Sequence, residues 1–218
     1  MNTKIIMLLG FSTAGKSSIL NALKEKHGEK YDYFDTDSMI SKDFSGHIYN
    51  VFLEKWEKDD PIERKSAIQF IEEKENEVLK ILEKNINKSS IIAASPFILL
   101  RPDWQTFIDK FTPTFFHLEI DAESVFEGLM KRHDEHLSLV GNKLGFGCWD
   151  LGMTKKYKDG KYILINKEDA LKNIEQSLSN MTTKYKNLSK TNNFSSKLLK
   201  HDPEFRKSFL SILEKELL

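Results

Sequence analysis

Residues Gly10–Ser17 are the segment whose residue types and spacing most clearly indicate chemistry. They read Gly-Phe-Ser-Thr-Ala-Gly-Lys-Ser and match the phosphate-binding loop pattern G-x-x-x-x-G-K-[ST]. In this pattern the glycines let successive backbone N–H groups curl around a phosphate. Lys16 brings a positive charge to the β- and γ-phosphates of a nucleoside triphosphate, and the Ser17 hydroxyl is a ligand for Mg²⁺. The residues predicted to contact the nucleotide are Gly10, Phe11, Ser12, Thr13, Ala14, Gly15, Lys16, Ser17 and Ser18.

The segments on either side of this loop favour the same interpretation. Residues 4–9 form an apolar run typical of a buried strand, and residues 18–24 have helical spacing. A phosphate then lies at the positive N-terminus of a helix. The alternative, a chance match in a Gly/Ser turn, does not account for these flanking elements.

Asp35 and Asp37 are the second pair of candidate functional residues. They directly follow a predicted strand at 31–34, with Thr36 between them. In a nucleotide-dependent enzyme one carboxylate at this place can hold Mg²⁺, directly or through water, and another can accept a proton from a hydroxyl nucleophile. The alternative for either residue alone is that it caps a helix beginning near Ser38.

The elements that must position these residues alternate between strands and helices. Strands are predicted at 4–9, 31–34, 90–94, 114–120 and 161–165. Helices are predicted at 44–56, 62–86, 104–111, 122–136, 166–178 and 194–218. This alternation predicts an α/β fold with a five-stranded parallel sheet and an extra C-terminal helical segment. With the phosphate loop after the first strand, it resembles the P-loop nucleotide-binding fold, which implies the strand order 2-3-1-4-5. The carboxyl edge of such a sheet would bring Gly10–Ser17, Asp35–Asp37 and Ser95–Arg101 together.

The composition narrows the class of protein. Lys+Arg and Asp+Glu are both 33, so the net charge is zero and no nucleic-acid partner is predicted. No stretch is long and apolar enough to span a membrane, and the single cysteine, Cys148, suits a reducing compartment. We therefore expect a cytoplasmic protein. Only four basic residues are arginines, which raises the question of what each planar guanidinium does.

The segments Leu8–Ile19 and Phe34–Ile40 resemble the small-molecule P-loop kinases, with the closest likeness to chloramphenicol phosphotransferases. Shikimate kinases and zeta toxins share this layout more distantly. The likeness in motifs covers residues 4–40, and a looser match in element order continues through residue 173. The resemblance implies a P-loop kinase domain over residues 1–182, with a lid and insertion at about 122–160, and a helical extension at 183–218.

The resemblance also implies roles for individual residues. Asp37 becomes the catalytic base that contacts the substrate hydroxyl, and Lys16 binds the phosphates. Ser17 and Asp35 become the metal ligands. Arg132 corresponds to a lid arginine that stabilises the transferring phosphoryl group, with a solvated surface arginine as the alternative.

The sequence departs from the kinase pattern at two places. The third strand ends in Ala94-Ser95-Pro96 instead of an acidic residue, and the lid carries only one arginine. Arg101 either contacts a polar or anionic group of the acceptor or pairs with Asp103.

Three further residues have predicted positions. Cys148 and Trp149, in the glycine-rich stretch 138–160, are candidates to line the acceptor pocket. His117 lies in an apolar strand, so we expect a core residue rather than a catalyst.

These features together predict an ATP- and Mg²⁺-dependent phosphotransferase that moves the γ-phosphate to a hydroxyl of an antibiotic- or metabolite-like small molecule. Two alternatives stay open. One is a kinase-like toxin or effector that acts on a nucleotide-sugar or macromolecule, and the other is a nucleotide-binding switch without phosphoryl transfer. The sequence leaves the acceptor, the preference for ATP over GTP and the oligomeric state undetermined. It also leaves open whether Asp35 or Asp37 is the base and what the C-terminal helical extension does.

Overall fold

A strand that is buried along its whole length organises the fold. In a computed structural model of the chain, this strand is Ile5–Gly10. The structure describes residues 3–43, 52, 54–55, 57–58, 60–95, 98–140, 153–159, 161–192, 197–200 and 210–216. Its run of Ile, Met and Leu is typical of a strand covered on both faces. The described elements are β1 (Ile5–Gly10), α1 (Lys16–His27), β2 (Asp32–Asp35), α2 (Thr36–Asp43), α3 (Pro61–Asn85), β3 (Ser90–Ala93), α4 (Asp103–Phe111), β4 (Thr114–Glu119), α5 (Ala122–Val140), β5 (Lys155–Lys158), β6 (Lys161–Leu164), α6 (Lys167–Asn192) and β7 (Lys197–Lys200), and residues 210–216 are also helical.

The chain divides into two compact units. The first comprises Met1–Asp43, Glu72–Ile120 and Asn187–Leu218, and the second comprises Phe44–Ile71 and Asp121–Lys186. The first unit contains a parallel sheet in the order β2-β3-β1-β4-β7. The second contains an antiparallel pair formed by β5 and β6.

The core of the first unit lies between the sheet and α1. Ile19, Leu20 and Leu23 of α1 pack in one cluster with buried side chains of the sheet, and Leu213 of the helical segment 210–216 joins the same cluster. This packing fixes the start of α1 against the end of β1. The loop between them is therefore held at both ends.

The predicted α/β class and the order 2-3-1-4 of the first four strands agree with the structure. The prediction for the fifth strand was wrong, because the edge position beside β4 is taken by Lys197–Lys200. The predicted strand 161–165 instead forms a hairpin with β5 in the second unit. A short apolar run has the same sequence pattern in a hairpin and in a parallel sheet, so the pattern does not predict which strand it pairs with.

The C-terminal half of the chain differs from the prediction in two further respects. The expected helix at 194–218 includes strand β7, and of that range residues 210–216 are helical among those described. Helix α6 continues to Asn192, beyond the predicted end at 178, since the buried Met181 and Tyr185 extend its apolar face at a spacing of four residues.

Helix α3 agrees with the helix predicted at 62–86. Ile71, Val78, Leu79 and Leu82 of its apolar face are buried, but Ile68 is 43% exposed. The predicted helix at 44–56 lies largely outside the described residues, and so does most of the glycine-rich stretch 138–160. Cys148 and Trp149 both lie outside them.

Across the described parts of the chain, no helix combines the length and the low charge needed to cross a bilayer.

Candidate nucleotide and phosphoryl-transfer site

The phosphate-binding loop begins where β1 passes closest to β4. Gly10 has φ 150°, and a Cβ at this position would lie 2.8 Å from the backbone oxygen of Leu118. Such a contact is too short for a real side chain, and the neighbouring atom belongs to the backbone of a buried strand. Gly15, with φ 82°, then turns the chain into α1. The first and last glycines of the motif are therefore both required by the local geometry.

Thr13 lies at the tip of the loop in a strained conformation. Its φ is 71°, which a β-branched residue rarely adopts. Its Oγ1 atom is buried and has no hydrogen-bond partner in the described structure. A strained backbone and an unsatisfied buried hydroxyl are typical of a functional site that a polar ligand completes. The loop therefore fits a phosphate group.

Lys16 folds back over this loop. Its ammonium group donates hydrogen bonds to the backbone oxygens of Gly10 at 2.8 Å and Phe11 at 3.0 Å, and the residue is 7% exposed. Carbonyl oxygens are weaker partners for an ammonium group than phosphate oxygens, which carry full charge. The lysine is thus held at the place where the motif needs it, on partners that a phosphate can replace.

The N-terminus of α1 completes the nucleotide side of the site. No side chain caps this helix, whose first turn contains the exposed Ser17 and Ser18 and no acidic residue. The first N–H groups of a helix have no partners within the helix, and they attract anions. The loop, Lys16 and this helix end lie together and are all electropositive, which suits an anion.

Asp35 and Asp37 occupy the start of α2 at the carboxyl end of β2. Asp35 Oδ1 accepts a hydrogen bond of 3.1 Å from the Ser38 N–H, so Asp35 caps the helix. The helix begins at Thr36, slightly earlier than predicted. Asp37 lies exposed in the first turn, where the helix dipole stabilises its charge. The capping alternative is therefore true of Asp35, and it leaves the second oxygen of that carboxylate for other partners.

The sheet order sets the separation between these acids and the phosphate loop. Strand β3 lies between β1 and β2, so the two functional ends are two strand spacings apart. At ~4.8 Å per spacing, the backbones at these ends are about 10 Å apart. The gap between these two ends lies over the end of β3.

A buried polar network lies beside this gap. The Ser95 N–H donates to Thr36 Oγ1 at 2.7 Å, and Ser95 Oγ donates to Glu75 Oε1 at 2.7 Å. Arg101 Nε donates to Glu75 Oε2 at 2.5 Å, and Arg101 Nη1 donates to Glu72 Oε1 at 2.5 Å. Thr36 is fully buried, while Ser95 and Glu75 are each 1% exposed. The network joins the end of β3 to the beginning of α2 and to the middle of α3.

The electrostatics of Glu75 reflect this burial. Burial raises the pKa of the Glu75 carboxyl, and the charge of Asp37 raises it further. The Arg101 guanidinium and the Ser95 hydrogen bond act in the opposite direction and favour the carboxylate. Asp37 thus lies near enough to Glu75 for their charges to interact.

The contacts of Arg101 differ from the two that were predicted, which were contact with the acceptor and pairing with Asp103. Among the described residues its ion-pair partners are Glu72 and Glu75, and Asp103 is not one of them. The arginine side chain is 11% exposed, and two of its three nitrogens are engaged by carboxylates. The geometry therefore favours a role within the protein over direct contact with an acceptor.

The other predicted residues have distinct positions. His117 is 4% exposed on β4, opposite Leu9 of β1, and burial together with the charge of Lys16 lowers its pKa to about 4. It is neutral at pH 7, as a core histidine should be. Arg132 lies exposed on α5 in the second unit, and its role in the lid stays a prediction. No cluster of three or more His, Cys, Asp or Glu residues suited to a metal ion occurs in the described part of the chain.

Glu75 is a residue of the site that was not predicted from the sequence. A signal was nevertheless present. Ile71, Glu75, Val78 and Leu82 have the spacing of a single helix face, and the other three are buried. A charged residue within an apolar stripe indicates a buried charge with a specific partner.

Solved structures with the same architecture include shikimate kinases, which are P-loop small-molecule kinases. The enzyme from Bacteroides thetaiotaomicron has a TM-score of 0.61 and 16% sequence identity, with 97% of each chain covered. The enzyme from Acinetobacter baumannii, solved in complex with shikimate, has a TM-score of 0.56 and 14% identity, with 99% of this chain and 96% of that chain covered. The enzyme from Aquifex aeolicus has a TM-score of 0.50 and 18% identity, with 98% of each chain covered.

The chain has the fold of these kinases. No protein-family model and no curated protein sequence matches it. At these sequence identities the likeness concerns the fold, and the chemistry must be argued from the site itself.

Proposed function

We propose that this protein is an ATP- and Mg²⁺-dependent phosphotransferase that transfers the γ-phosphate of ATP to a hydroxyl of a small molecule. The observation that carries the proposal is the pairing of a phosphate loop with a carboxylate pair across one strand of the same sheet. The buried Lys16 is at one end of this gap, and Asp35 and Asp37 are at the other. A nucleotide-binding switch needs a carboxylate for Mg²⁺, the role of Asp35, but it does not need the second carboxylate, Asp37.

The nucleotide is held by the loop residues and by Lys16. The unsatisfied Thr13 hydroxyl, the close approach of Gly10 to Leu118 and the uncapped start of α1 support phosphate binding there. Ser17 and the free side of the Asp35 carboxylate are the proposed ligands of Mg²⁺. The metal ion supplies charge neutralisation on the phosphate oxygens.

Asp37 is the proposed general base. It accepts the proton of the acceptor hydroxyl while the hydroxyl oxygen forms a bond to the γ-phosphorus, and the bond from that phosphorus to the oxygen bridging to the β-phosphate breaks. ADP carries away the electrons of the broken bond. Arg132 of α5 is the proposed second positive group on the transferring phosphoryl, as the kinase resemblance implies.

An acceptor screen tests this function directly. The purified protein is incubated with Mg²⁺ and γ-labelled ATP, and the acceptors are shikimate, chloramphenicol, cyclic polyols and a UDP-sugar. Label transferred to a low-molecular-weight alcohol supports the proposal. Label on the UDP-sugar favours the effector alternative, and intact ATP with no labelled product under any condition favours the nucleotide switch.

Two variants locate the chemistry within the site. Lys16→Met is expected to abolish binding of a fluorescent ATP analogue as well as transfer, since it removes the phosphate partner. Asp37→Asn is expected to keep that binding but to lower kcat by about 10²–10⁴-fold, the usual range for a general base. If Asp37→Asn reduces turnover only a few-fold, Asp37 is not the base.

A further inference from the structure

We propose that Arg101, Glu75, Ser95 and Thr36 form a positioning network that fixes the Asp35–Asp37 pair for phosphoryl transfer. The inference rests on the proposed function, because that function gives the two aspartates their roles. It is carried by one continuous series of hydrogen bonds from the Arg101 guanidinium to the hydroxyl of the residue between them.

Every link of the network is short, and the two links through Ser95 are buried while the link from Arg101 to Glu75 is partly buried. The bonds from Arg101 to Glu75, from Ser95 to Glu75 and from Ser95 to Thr36 measure 2.5, 2.7 and 2.7 Å. A buried polar group that loses its partner is costly, so each member holds the next one in place. The network therefore behaves as a rigid unit.

The network acts on the aspartates through the first turn of α2. Thr36 is the first residue of this helix and is fully buried, while Asp37 is exposed beside it. Each helical residue is rotated by about 100° from the one before, so the direction of Thr36 sets the direction of its neighbours. Anchoring Thr36 Oγ1 to the Ser95 N–H fixes where both carboxylates lie.

The same geometry explains the unusual end of β3. Ser95 occupies the place beyond this strand where an acidic residue was expected, and it contributes a backbone N–H and a hydroxyl. The acid of this region is Glu75, which comes from α3 and is neutralised by Arg101. Arg101 also binds Glu72, so its planar guanidinium group joins two carboxylates of one helix.

The test compares two substitutions of Thr36 that differ in one hydroxyl group. Thr36→Val keeps the shape of the side chain and loses the acceptor oxygen, while Thr36→Ser keeps the oxygen. With the first acceptor found in the screen, Thr36→Val is expected to lower kcat about tenfold or more, the loss that misplaced catalytic groups produce. Its KM for the acceptor and its affinity for the fluorescent ATP analogue should stay within about twofold of wild type. Thr36→Ser should retain kcat within about threefold.

Two outcomes would overturn the proposal. One is a Thr36→Val protein with wild-type kcat and only a lowered melting temperature, which would show a purely structural role. The other is an Arg101→Gln protein whose KM for the acceptor rises while kcat is unchanged, which would place Arg101 in contact with the acceptor. If Thr36→Val does not fold, Glu75→Gln takes its place, because it keeps the shape of the buried side chain and removes its charge.

Crystal structures of Thr36→Val and Thr36→Ser give a readout that does not depend on activity. We expect the Asp35 and Asp37 carboxylates to be displaced or disordered in the valine variant and unchanged in the serine variant. Identical carboxylate positions in both would refute the positioning role. If the wild-type protein phosphorylates no acceptor, the proposed function fails, and this comparison still decides the inference.

Discussion

Replacing His117 should make the stability of this fold less sensitive to acid. His117 is 4% exposed on β4, and burial, assisted by the positive charge of Lys16, lowers its pKa from 6.5 to about 4. Between these two values the unfolded chain binds a proton that the folded chain excludes. The stability that this neutral histidine provides is therefore complete above pH 6.5 and is lost as the pH falls toward 4.

The size of the effect follows from the same two values. A shift of one pKa unit corresponds to about 1.4 kcal/mol, so the pKa shift of His117 represents about 3 kcal/mol over the whole range. Most of this range lies above pH 5. Lowering the pH from 7 to 5 should therefore cost the wild-type protein about 2 kcal/mol through this one residue.

Urea unfolding at pH 7 and pH 5 measures the difference in the free energy of unfolding. His117→Gln cannot titrate, so its loss between the two pH values should be smaller than that of the wild type by about 2 kcal/mol. An NMR titration of the ring follows the pKa directly, and Lys16→Met should raise it because one of its two causes is removed. Equal losses in the two proteins, or a His117 pKa above 6 in the folded wild type, would refute the reasoning.

Three further predictions concern the loop and the aspartates. Gly10→Ala should destabilise the fold by about 1–3 kcal/mol in urea unfolding, because its Cβ would lie 2.8 Å from the backbone oxygen of Leu118. An unchanged urea midpoint would contradict this close approach. Thr13→Gly should raise the free energy of unfolding by about 1 kcal/mol because glycine adopts the positive φ without strain. It should also weaken binding of the fluorescent ATP analogue, since the buried hydroxyl is lost. Unaltered affinity would show that this hydroxyl does not contact the nucleotide. Asp35→Ala should lower the free energy of unfolding by about 1 kcal/mol because it removes a helix cap, while Asp35→Asn keeps the cap. Both variants should weaken the Mg²⁺-dependent part of the binding of the fluorescent ATP analogue. An asparagine variant with full Mg²⁺ dependence would exclude Asp35 as a ligand.

The parts of the fold that could be predicted are those that depend on residues close together in the sequence. The phosphate loop is a contiguous motif, and its flanking strand and helix have distinct apolar periods. The order of the first four strands followed from the resemblance to P-loop kinases, because alternation alone predicts parallel strands and not which of them are neighbours. The fifth strand did not, because the choice between Lys161–Leu164 and Lys197–Lys200 depends on which run pairs with β4, a contact between residues far apart in sequence.

The candidate site was predictable to a similar degree and for the same reason. Lys16, Asp35 and Asp37 stand in short motifs, but the partners of Arg101 come from a helix some 26 and 29 residues away in the chain. No local pattern records which surface an arginine faces. What the sequence did contain was the charge of Glu75 within the apolar stripe of α3, and a buried charge requires a counter-charge somewhere in the fold.

The absence of an acid at the end of β3 has an electrostatic consequence for the proposed reaction. A carboxylate there would stand between the phosphate loop and the Asp35–Asp37 pair, beside the negative charge of the γ-phosphate. The chain instead presents Ser95 at this position and keeps the Glu75 charge paired with Arg101. Since like charges in a buried site repel strongly, a neutral end of β3 lowers the cost of bringing a triphosphate near two aspartates. Lysine, which lacks a planar fork, would bind two carboxylates of α3 less well, and this gives a physical reason why one of only four arginines is found at position 101.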